Sequence, residues 1–180
     1  SIVALTFSRK AADEMAERAL AFPVIDKEKG LPCITTFHGF CLRILCEKCS
    51  GEYNYRRAGF IQEPELLDDS RWFQMLASVT TQDERSLFGG DLFRLDSLLN
   101  KKSVFPEKVN NLDKGAMGLL CDIEQRLQKE KMKQGAWDFS DLINYTLDLF
   151  SHYPDIASRY ASRFSAVLVD EFQDTNLAQY

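Results

Sequence analysis

Residues 166–174 read AVLVDEFQD, four apolar residues that run directly into a group of acidic and amide side chains. A short, fully apolar run predicts a strand buried on both faces, as in a parallel sheet flanked by helices. Open parallel sheets bind ligands beyond the carboxyl ends of their strands. We therefore expect the polar residues after Val169 to lie at the ligand-binding edge of an α/β domain.

The acidic pair Asp170-Glu171 at the end of this strand is the Walker B arrangement. One carboxylate can hold Mg²⁺, usually through water, because that ion keeps most of its hydration shell. The next residue points to the other side of the chain and can orient or deprotonate an attacking water. The alternative interpretation is that the pair only starts a turn or caps a helix.

Two further strand-to-helix junctions lie near the start of the chain. Residues 2–7 have a buried-strand pattern, Ser8 suits a helix N-cap, and apolar residues then recur at helical spacing up to Leu20. Residues 33–35 are strand-like, and a second helical stripe follows over 37–45. The pattern predicts an α/β fold with a parallel sheet and flanking helices.

Each junction carries a polar cluster: TFSRK at 6–10, TTFHG at 35–39 and DEFQD at 170–174. Lys10 and His38 fall near helix N-termini, where free backbone N–H groups can bind phosphate oxygens. Phe7 or Phe37 could stack on a nucleobase. The alternatives are that both phenylalanines are core residues, that Lys10 is a solvated charge and that His38 makes a local hydrogen bond.

The stretch between the junctions differs in character. Its periodic segments are helical, from Leu66 to Val79 and from Leu112 to Lys133, and no strong strand is visible. Afterwards the α/β pattern returns, with Asp138 as a helix cap and Pro154 at the first position of another helix. We therefore divide the chain into a first part of one domain at 1–45, a mostly α-helical insert at 46–135 and a return to the first domain at 136–180.

Composition limits the class of protein. The chain has 180 residues, 45% of them hydrophobic, and a formal net charge of -5. No apolar run approaches the ~20 residues of a membrane span, and residues 1–7 lack the basic start and cleavage site of a secretory signal. The acidic balance does not indicate a nucleic-acid binder as a whole, although a less acidic cleft could bind one.

Cys46 and Cys49 form a C-x-x-C pair, which raises the question of a zinc or redox site. A closed zinc site normally needs four ligands in paired spacing, and the sequence has no second C-x-x-C and no H-x-x-x-H. We expect the five cysteines to be reduced cytoplasmic thiols.

Basic residues gather in the middle stretch, at Arg126, Lys129, Lys131 and Lys133 and at Lys101-Lys102. They could contact duplex DNA. Because Glu124 and Glu130 interleave with them, we favour the alternative of a solvated helix face.

Four segments together resemble the signature motifs of superfamily 1 DNA helicases of the UvrD/Rep/PcrA type. The segment TFSRKAADEM (6–15) is similar to motif Ia, and TFHGFCLRIL (36–45) is similar to motif Ib. The segment DFSDLI (138–143) is similar to the D-F-x-D-L-L element. The segment VDEFQDTN (169–176), followed by Gln179-Tyr180, is similar to motif II. The middle of the chain lacks motifs, as the variable inserted 1B domain of such helicases would.

The resemblance implies a partial RecA-like P-loop NTPase domain that binds ATP. By this resemblance Asp170 would coordinate Mg²⁺, Glu171 would polarise the hydrolytic water, and Gln173 with Asp174 would couple the nucleotide state to the DNA groove. The single-stranded DNA track would contain Thr6, Phe7, Ser8, Lys10, Thr36 and His38. Arg9 stands where the family usually has Asn, and its added charge could strengthen contact with the DNA backbone.

The implied parent protein is a cytoplasmic ATP-dependent helicase that moves on single-stranded DNA and unwinds duplex DNA in the 3′ to 5′ direction. Its expected setting is repair, replication restart or recombination, with repair proteins as partners. The family's G-x-x-x-x-G-K-[ST] loop, its motif III and its second motor domain do not occur in the 180 residues. We therefore expect this fragment by itself to bind ATP poorly and not to hydrolyse it.

Two other interpretations stay open. One keeps the motor in a different setting, as a helicase–nuclease subunit of the AddA/RecB sort or as an RNA helicase. The other is a non-catalytic module that binds DNA or a partner through the insert, the motor having decayed. The intact pair Asp170-Glu171 argues against decay, and the Asp174-Thr175 ending of motif II favours the DNA-directed branch.

Overall fold

The computed structural model describes residues 1–21, 32–104 and 112–180, except for the side chains of 101–104, so those of Lys101 and Lys102 lie outside the description. The described residues group into two compact units, unit 1 (1–61 with 140–180) and unit 2 (62–139). Each unit has a hydrophobic core of its own. This grouping does not test which segment is inserted into which domain, so the domain assignment made from the sequence stays a prediction.

Unit 1 combines strands and helices. Its elements are β1 (Ile2–Thr6), α1 (Arg9–Ala21), β2 (Cys33–Thr36), α2 (Phe37–Cys46), β3 (Lys48–Cys49), β4 (Glu52–Tyr53), α3 (Asn54–Arg57), α8 (Phe139–His152), α9 (Pro154–Arg163), β7 (Ala166–Val169) and a 3₁₀ turn (Phe172–Asp174). As the sequence predicts, Pro154 occupies the first turn of α9, where its missing N–H costs no helical hydrogen bond.

Strands β2, β1 and β7 form one parallel sheet in that order, with β1 in the centre. Val3 of β1 lies opposite Cys33 on one side and Val167 on the other. The predicted α/β class with a small parallel sheet is confirmed. Because the strands are parallel, their carboxyl ends lie along one edge of the sheet.

The core of unit 1 explains why β1 is central. Val3 and Leu5 are almost completely buried and pack with Phe37, the first residue of α2. Full burial of one such side chain stabilises the folded state by about 1.5–3 kcal/mol. This packing fixes α2 against the sheet directly after the end of β2.

The prediction that residues 166–169 are buried on both faces is wrong for the described residues. Val167 is 61% exposed and Leu168 is 57% exposed. Strand β7 is the outer strand of a three-stranded sheet and pairs only with β1 among the described strands. The apolar run identified the strand correctly, but burial depends on what covers it.

Unit 2 is mostly helical, as the sequence predicts for this stretch. Its elements are β5 (Glu65–Leu66), α4 (Asp69–Ser78), α5 (Gln82–Leu87), α6 (Leu92–Val104), α7 (Lys114–Gln134) and β6 (Ala136–Trp137). The core is built from one face of each long helix and includes Leu76, Leu95 and Leu120, all fully buried.

Local capping sets the ends of these helices. The carboxylate of Asp113 accepts a hydrogen bond from the N–H of Ala116 at the start of α7, and Gly135 ends the helix in the left-handed conformation. Thr81 and Glu84 form a reciprocal capping box at α5. The predicted helices over 66–79 and 112–133 are confirmed, with the first beginning after the cap at Asp68.

The sequence gives no sign of the four short strands outside the main sheet. Strands β3 and β4 pair antiparallel in unit 1, and β5 and β6 pair parallel in unit 2. Each has two residues, which is too short for a period-2 hydrophobic pattern to appear.

The basic residues of α7 are not one solvated face. Arg126 donates to the Glu84 carboxylate at 2.7 Å and to the Val79 carbonyl at 2.6 Å. Lys131 is buried and its Nζ lies 2.8 Å from Oδ2 of Asp138. Lys129 and Lys133 remain exposed. Arg126 and Lys131 therefore have structural partners inside unit 2, and the exposed Lys133 pairs with Glu130 at 3.4 Å.

All five cysteines are free thiols, and Cys49 of the C-x-x-C pair is buried with its Sγ 3.3 Å from Nη1 of Arg159. In the part of the chain that the structure describes, no helix combines the length and the apolar character needed to cross a membrane.

Candidate functional site

The candidate site is the edge of the parallel sheet where β1, β2 and β7 end. These strands end at Thr6, Thr36 and Val169, and each is followed by one of the three polar clusters. The sheet brings together at one edge the clusters at 6–10, 35–39 and 170–174, which are far apart in sequence. All of them belong to unit 1.

Thr6 and Ser8 build the first junction, from β1 to α1. Thr6 is fully buried and its Oγ1 donates to the Ser8 carbonyl at 3.0 Å. The Ser8 hydroxyl accepts from the N–H of Ala11 at 3.1 Å, which makes Ser8 the predicted N-cap of α1. The buried Thr6 side chain therefore stabilises the turn, while Ser8 is exposed at the surface of the turn.

Three side chains of this junction face outward. Phe7 is 40% exposed, and its ring centroid lies 5.4 Å from that of the buried Phe37. Arg9 and Lys10 are exposed in the first turn of α1, with Nζ of Lys10 3.9 Å from the Glu14 carboxylate. An exposed aromatic face beside two cations is the combination that single-stranded nucleic acids bind.

The second junction, from β2 to α2, is capped by Thr36, whose Oγ1 accepts from the N–H of Gly39 at 3.0 Å. A Cβ added to Gly39 would lie 2.7 Å from Oγ1 of Thr35 and 3.1 Å from Oγ1 of Thr36. A larger residue here would therefore require the Thr35 hydroxyl to move. His38, in the first turn of α2, is half-buried.

Burial lowers the pKa of His38 below its ordinary value of 6.5, because desolvation disfavours the imidazolium. At pH 7 the ring is therefore neutral, and it offers hydrogen bonds rather than charge. The folded state takes up this proton at lower pH than the unfolded state. Hence His38 reduces the free energy of unfolding as pH falls below 6.5.

We expect an imidazole NMR titration to give a midpoint below 6.5 for His38. The chain has two histidines, so a His152→Gln variant assigns the remaining curve to His38. In a His38→Gln variant the urea midpoint should fall less between pH 7 and about pH 5 than in the unchanged chain. A titration midpoint for His38 at or above 6.5 would contradict the expectation.

The third junction follows β7. The N–H of Asp170 donates to the Leu5 carbonyl at 3.0 Å, which continues the sheet by one residue. Glu171 then adopts a left-handed backbone conformation, with φ 50° and ψ 47°, and the 3₁₀ turn begins. Asp170, Glu171 and Gln173 are all exposed. The two carboxylates thus project at the end of the strand.

Exposed carboxylates at this edge suit Mg²⁺, which prefers oxygen ligands and keeps several waters or substrate phosphate oxygens. Asp170 is the residue that would hold the ion, since it lies directly at the strand end. Among the described residues, no group of three or more His, Cys, Asp and Glu side chains could hold a metal ion.

The sequence pattern did not predict two features of the site, the close packing at Gly39 and the contact between Gln173 and Glu171. Gly39 is needed for close approach, and its signal is a glycine three residues after a capping threonine. The Nε2 group of Gln173 donates to Oε2 of Glu171 at 2.5 Å. This contact has no sequence signal, because residues two apart meet only when the backbone between them turns sharply.

Comparison with known proteins identifies the family. The UvrD/REP helicase N-terminal domain matches residues 1–180. The ATP-dependent DNA helicase PcrA of Bacillus subtilis (strain 168) is 30% identical over 189 residues, covering 100% of this chain and 24% of that protein. The ATP-dependent DNA helicase UvrD1 of Mycobacterium leprae (strain TN) is 34% identical over 184 residues, covering 99% and 23%.

The chain thus spans about a quarter of the length of these relatives. The match extends from the first strand to the acidic cluster after β7, so that all three junctions of the candidate site fall inside it. The chain belongs to the UvrD/REP helicase family, and it corresponds to the N-terminal domain of that family.

Proposed function

We propose that this chain is the first motor segment of an ATP-dependent DNA helicase, which couples ATP hydrolysis to movement on single-stranded DNA and to duplex unwinding. The observation that carries the proposal is the common edge of the parallel sheet. It holds an acidic pair suited to phosphate chemistry beside two helix N-termini, and at the first of these Phe7, Arg9 and Lys10 are exposed. The names of the relatives, PcrA and UvrD1 helicases, support the same activity.

The acidic junction would serve ATP. Asp170 would hold Mg²⁺, which when bound neutralises charge on the phosphates. Glu171 would accept a hydrogen bond from the attacking water and take its proton. Glu171 lies one residue beyond Asp170, at the left-handed turn that follows the strand.

The other two junctions would serve single-stranded DNA. Phe7 would stack on a base, and Arg9 and Lys10 would contact phosphates from the start of α1. Neutral His38 and the hydroxyl of Thr36 would offer hydrogen bonds from the start of α2. Ser8, which is exposed, would lie along the DNA track, and the buried Thr6 would stabilise the turn.

We further propose the domain organisation predicted above, with a RecA-like motor domain formed by 1–45 and 136–180 and a 1B-like insert at 46–135. DNA repair or recombination is the expected setting, in the cytoplasm and with repair proteins as partners. The 180 residues contain no G-x-x-x-x-G-K-[ST] loop, and we propose that the isolated chain binds ATP poorly and does not hydrolyse it.

The proposal is tested by steady-state ATP hydrolysis of the full-length protein that contains this chain, with and without single-stranded DNA. We expect stimulation by single-stranded DNA and ATP-dependent unwinding of a tailed duplex. A protein that binds the DNA but shows neither ATP hydrolysis nor unwinding would instead be the non-catalytic module.

Replacing Phe7 by Leu is expected to weaken binding of a single-stranded oligonucleotide about tenfold, since stacking on an aromatic ring contributes about 1–3 kcal/mol per base. Leu keeps the apolar contact with Phe37 and removes only the aromatic face. Fluorescence anisotropy measures the affinity. Phe7→Trp, which restores an aromatic face, should bind as tightly as the unchanged protein. Equal affinity of the Leu variant would remove Phe7 from the DNA track.

A further inference from the structure

The acidic junction contains one hydrogen bond that the proposed roles do not explain. Nε2 of Gln173 lies 2.5 Å from Oε2 of Glu171, so the side-chain amide donates to one oxygen of that carboxylate. Both side chains are exposed, and neither is held in place by burial. A carboxylate at a surface normally samples several rotamers, so a hydrogen bond from a neighbouring amide favours one orientation of it.

The backbone makes this contact between residues two apart. On a helix, residues i and i+2 do not face each other. Here the left-handed conformation at Glu171, φ 50°, reverses the chain directly after the strand. The N–H of Asp174 then donates to the Glu171 carbonyl at 2.8 Å, which closes the turn around Gln173. A non-glycine residue in this conformation is uncommon, and such conformations cluster at functional sites.

We propose that Gln173 is a positioning residue for Glu171: its amide holds Oε2 so that Oε1 alone faces the attacking water. This inference rests on the proposed function, because Gln173 can position Glu171 for catalysis only if Glu171 acts on a water. It differs from the role implied by family resemblance, in which Gln173 couples the nucleotide state to the DNA groove.

The two roles have different kinetic consequences. A group that orients the carboxylate is needed in every turnover, so its loss lowers kcat equally with and without DNA. A coupling group is needed only for stimulation, so its loss lowers kcat in the presence of DNA alone. Neither the affinity for ATP nor that for DNA should change if Gln173 acts only on Glu171.

The contact itself is tested by NMR on this chain, labelled with ¹⁵N. In a Glu171→Ala variant the side-chain amide of Gln173 should move to the position of a solvated amide and exchange faster with water. Gln134 provides the matched control, because its Nε2 donates to Oε1 of Glu130 at 2.7 Å on α7. Its amide should be unaffected. An unchanged Gln173 resonance would overturn the proposal.

The function is tested in the full-length protein with Gln173→Ala. We expect kcat to fall about 10- to 100-fold, the range that follows from a lost hydrogen bond to a charged group, with KM for ATP unchanged. The loss should be equal with and without single-stranded DNA. Gln173→Glu, which places a second carboxylate beside Glu171, should lose at least as much. Gln134→Ala should leave kcat unchanged.

The outcomes separate this inference from the proposed function. If Glu171→Gln abolishes hydrolysis and Gln173→Ala does not lower kcat, the positioning role is wrong and the proposed function stands. If the loss in Gln173→Ala appears only with DNA, Gln173 is a coupling residue. If Glu171→Gln leaves hydrolysis intact, Glu171 is not the base and the positioning role fails, although the ATPase activity stands. If the unchanged full-length protein hydrolyses no ATP, the proposed function fails.

Discussion

Replacing Glu171 by Gln in the full-length protein is expected to lower kcat for ATP hydrolysis by about 10²–10⁴-fold, the contribution of a positioned general base. Glutamine has the same shape as glutamate but cannot take a proton from water. Its side-chain oxygen can still accept the hydrogen bond from Gln173, so the turn after β7 should keep its structure. Steady-state hydrolysis and binding of a fluorescent ATP analogue together measure the effect.

Because the change removes proton transfer and little else, we expect ATP binding to be retained while hydrolysis is lost. Glu17→Gln is the matched control, since Glu17 is an exposed glutamate of α1 in the same unit with no proposed role. Its kcat should equal that of the unchanged protein. Loss of ATP binding together with hydrolysis would show that Glu171 acts in nucleotide binding, and undiminished hydrolysis would show that it is not the base.

Replacing Lys131 by Met is expected to lower the free energy of unfolding of unit 2 by about 3 kcal/mol, the loss seen when one partner of a buried ion pair is removed. The side chains of Lys131 and Asp138 are only 7% and 21% exposed, with 2.8 Å between Nζ and Oδ2. Methionine keeps the length of the lysine stem, so the loss reports the pairing of the Asp138 carboxylate rather than a cavity.

Urea unfolding followed by tryptophan fluorescence measures this change in unit 2 alone. The chain has two tryptophans, Trp72 and Trp137, and both belong to that unit. Lys133→Met is the matched control: its side chain is 77% exposed and pairs with Glu130 one turn earlier on the same helix. Such a surface pair contributes about 0–1 kcal/mol. Equal losses in the two variants would mean that the buried pair stabilises unit 2 no more than the surface pair does.

The double variant Lys131→Met with Asp138→Asn sharpens the test. Asparagine removes the charge of residue 138 but keeps a side-chain oxygen at the start of α8. If most of the loss comes from a carboxylate left without this partner, the double variant should be more stable than Lys131→Met alone. Further loss in the double variant would indicate that each residue stabilises unit 2 separately.

The three junctions show what local sequence can predict. Ser8 was recognisable as a helix cap because capping depends on side-chain chemistry within three residues. The helix predicted over 112–133, which the structure places at 114–134, was recognisable because its apolar residues recur at helical spacing. These signals depend on neighbours in sequence, so one sequence is enough to read them.

Other properties of the same residues depended on neighbours that are distant in sequence. Thr6 and Lys131 are polar, yet both are buried by their units, whereas Val167 and Leu168 are apolar and exposed. No local pattern distinguishes a strand in the middle of a sheet from one at its edge. Burial is decided by the order of the strands and by the elements that cover them.

From the sequence alone came the α/β class, the three strand ends, the mostly helical middle stretch and the resemblance to UvrD-type helicases, which the comparison with known proteins bears out. Only the tertiary structure decided that the three ends share one edge, that Phe7 lies against Phe37 and that Gln173 reaches Glu171. The physical reason is range: capping and periodicity act over one or two turns of chain, whereas a site and its hydrogen bonds form where distant segments are brought within a few ångströms.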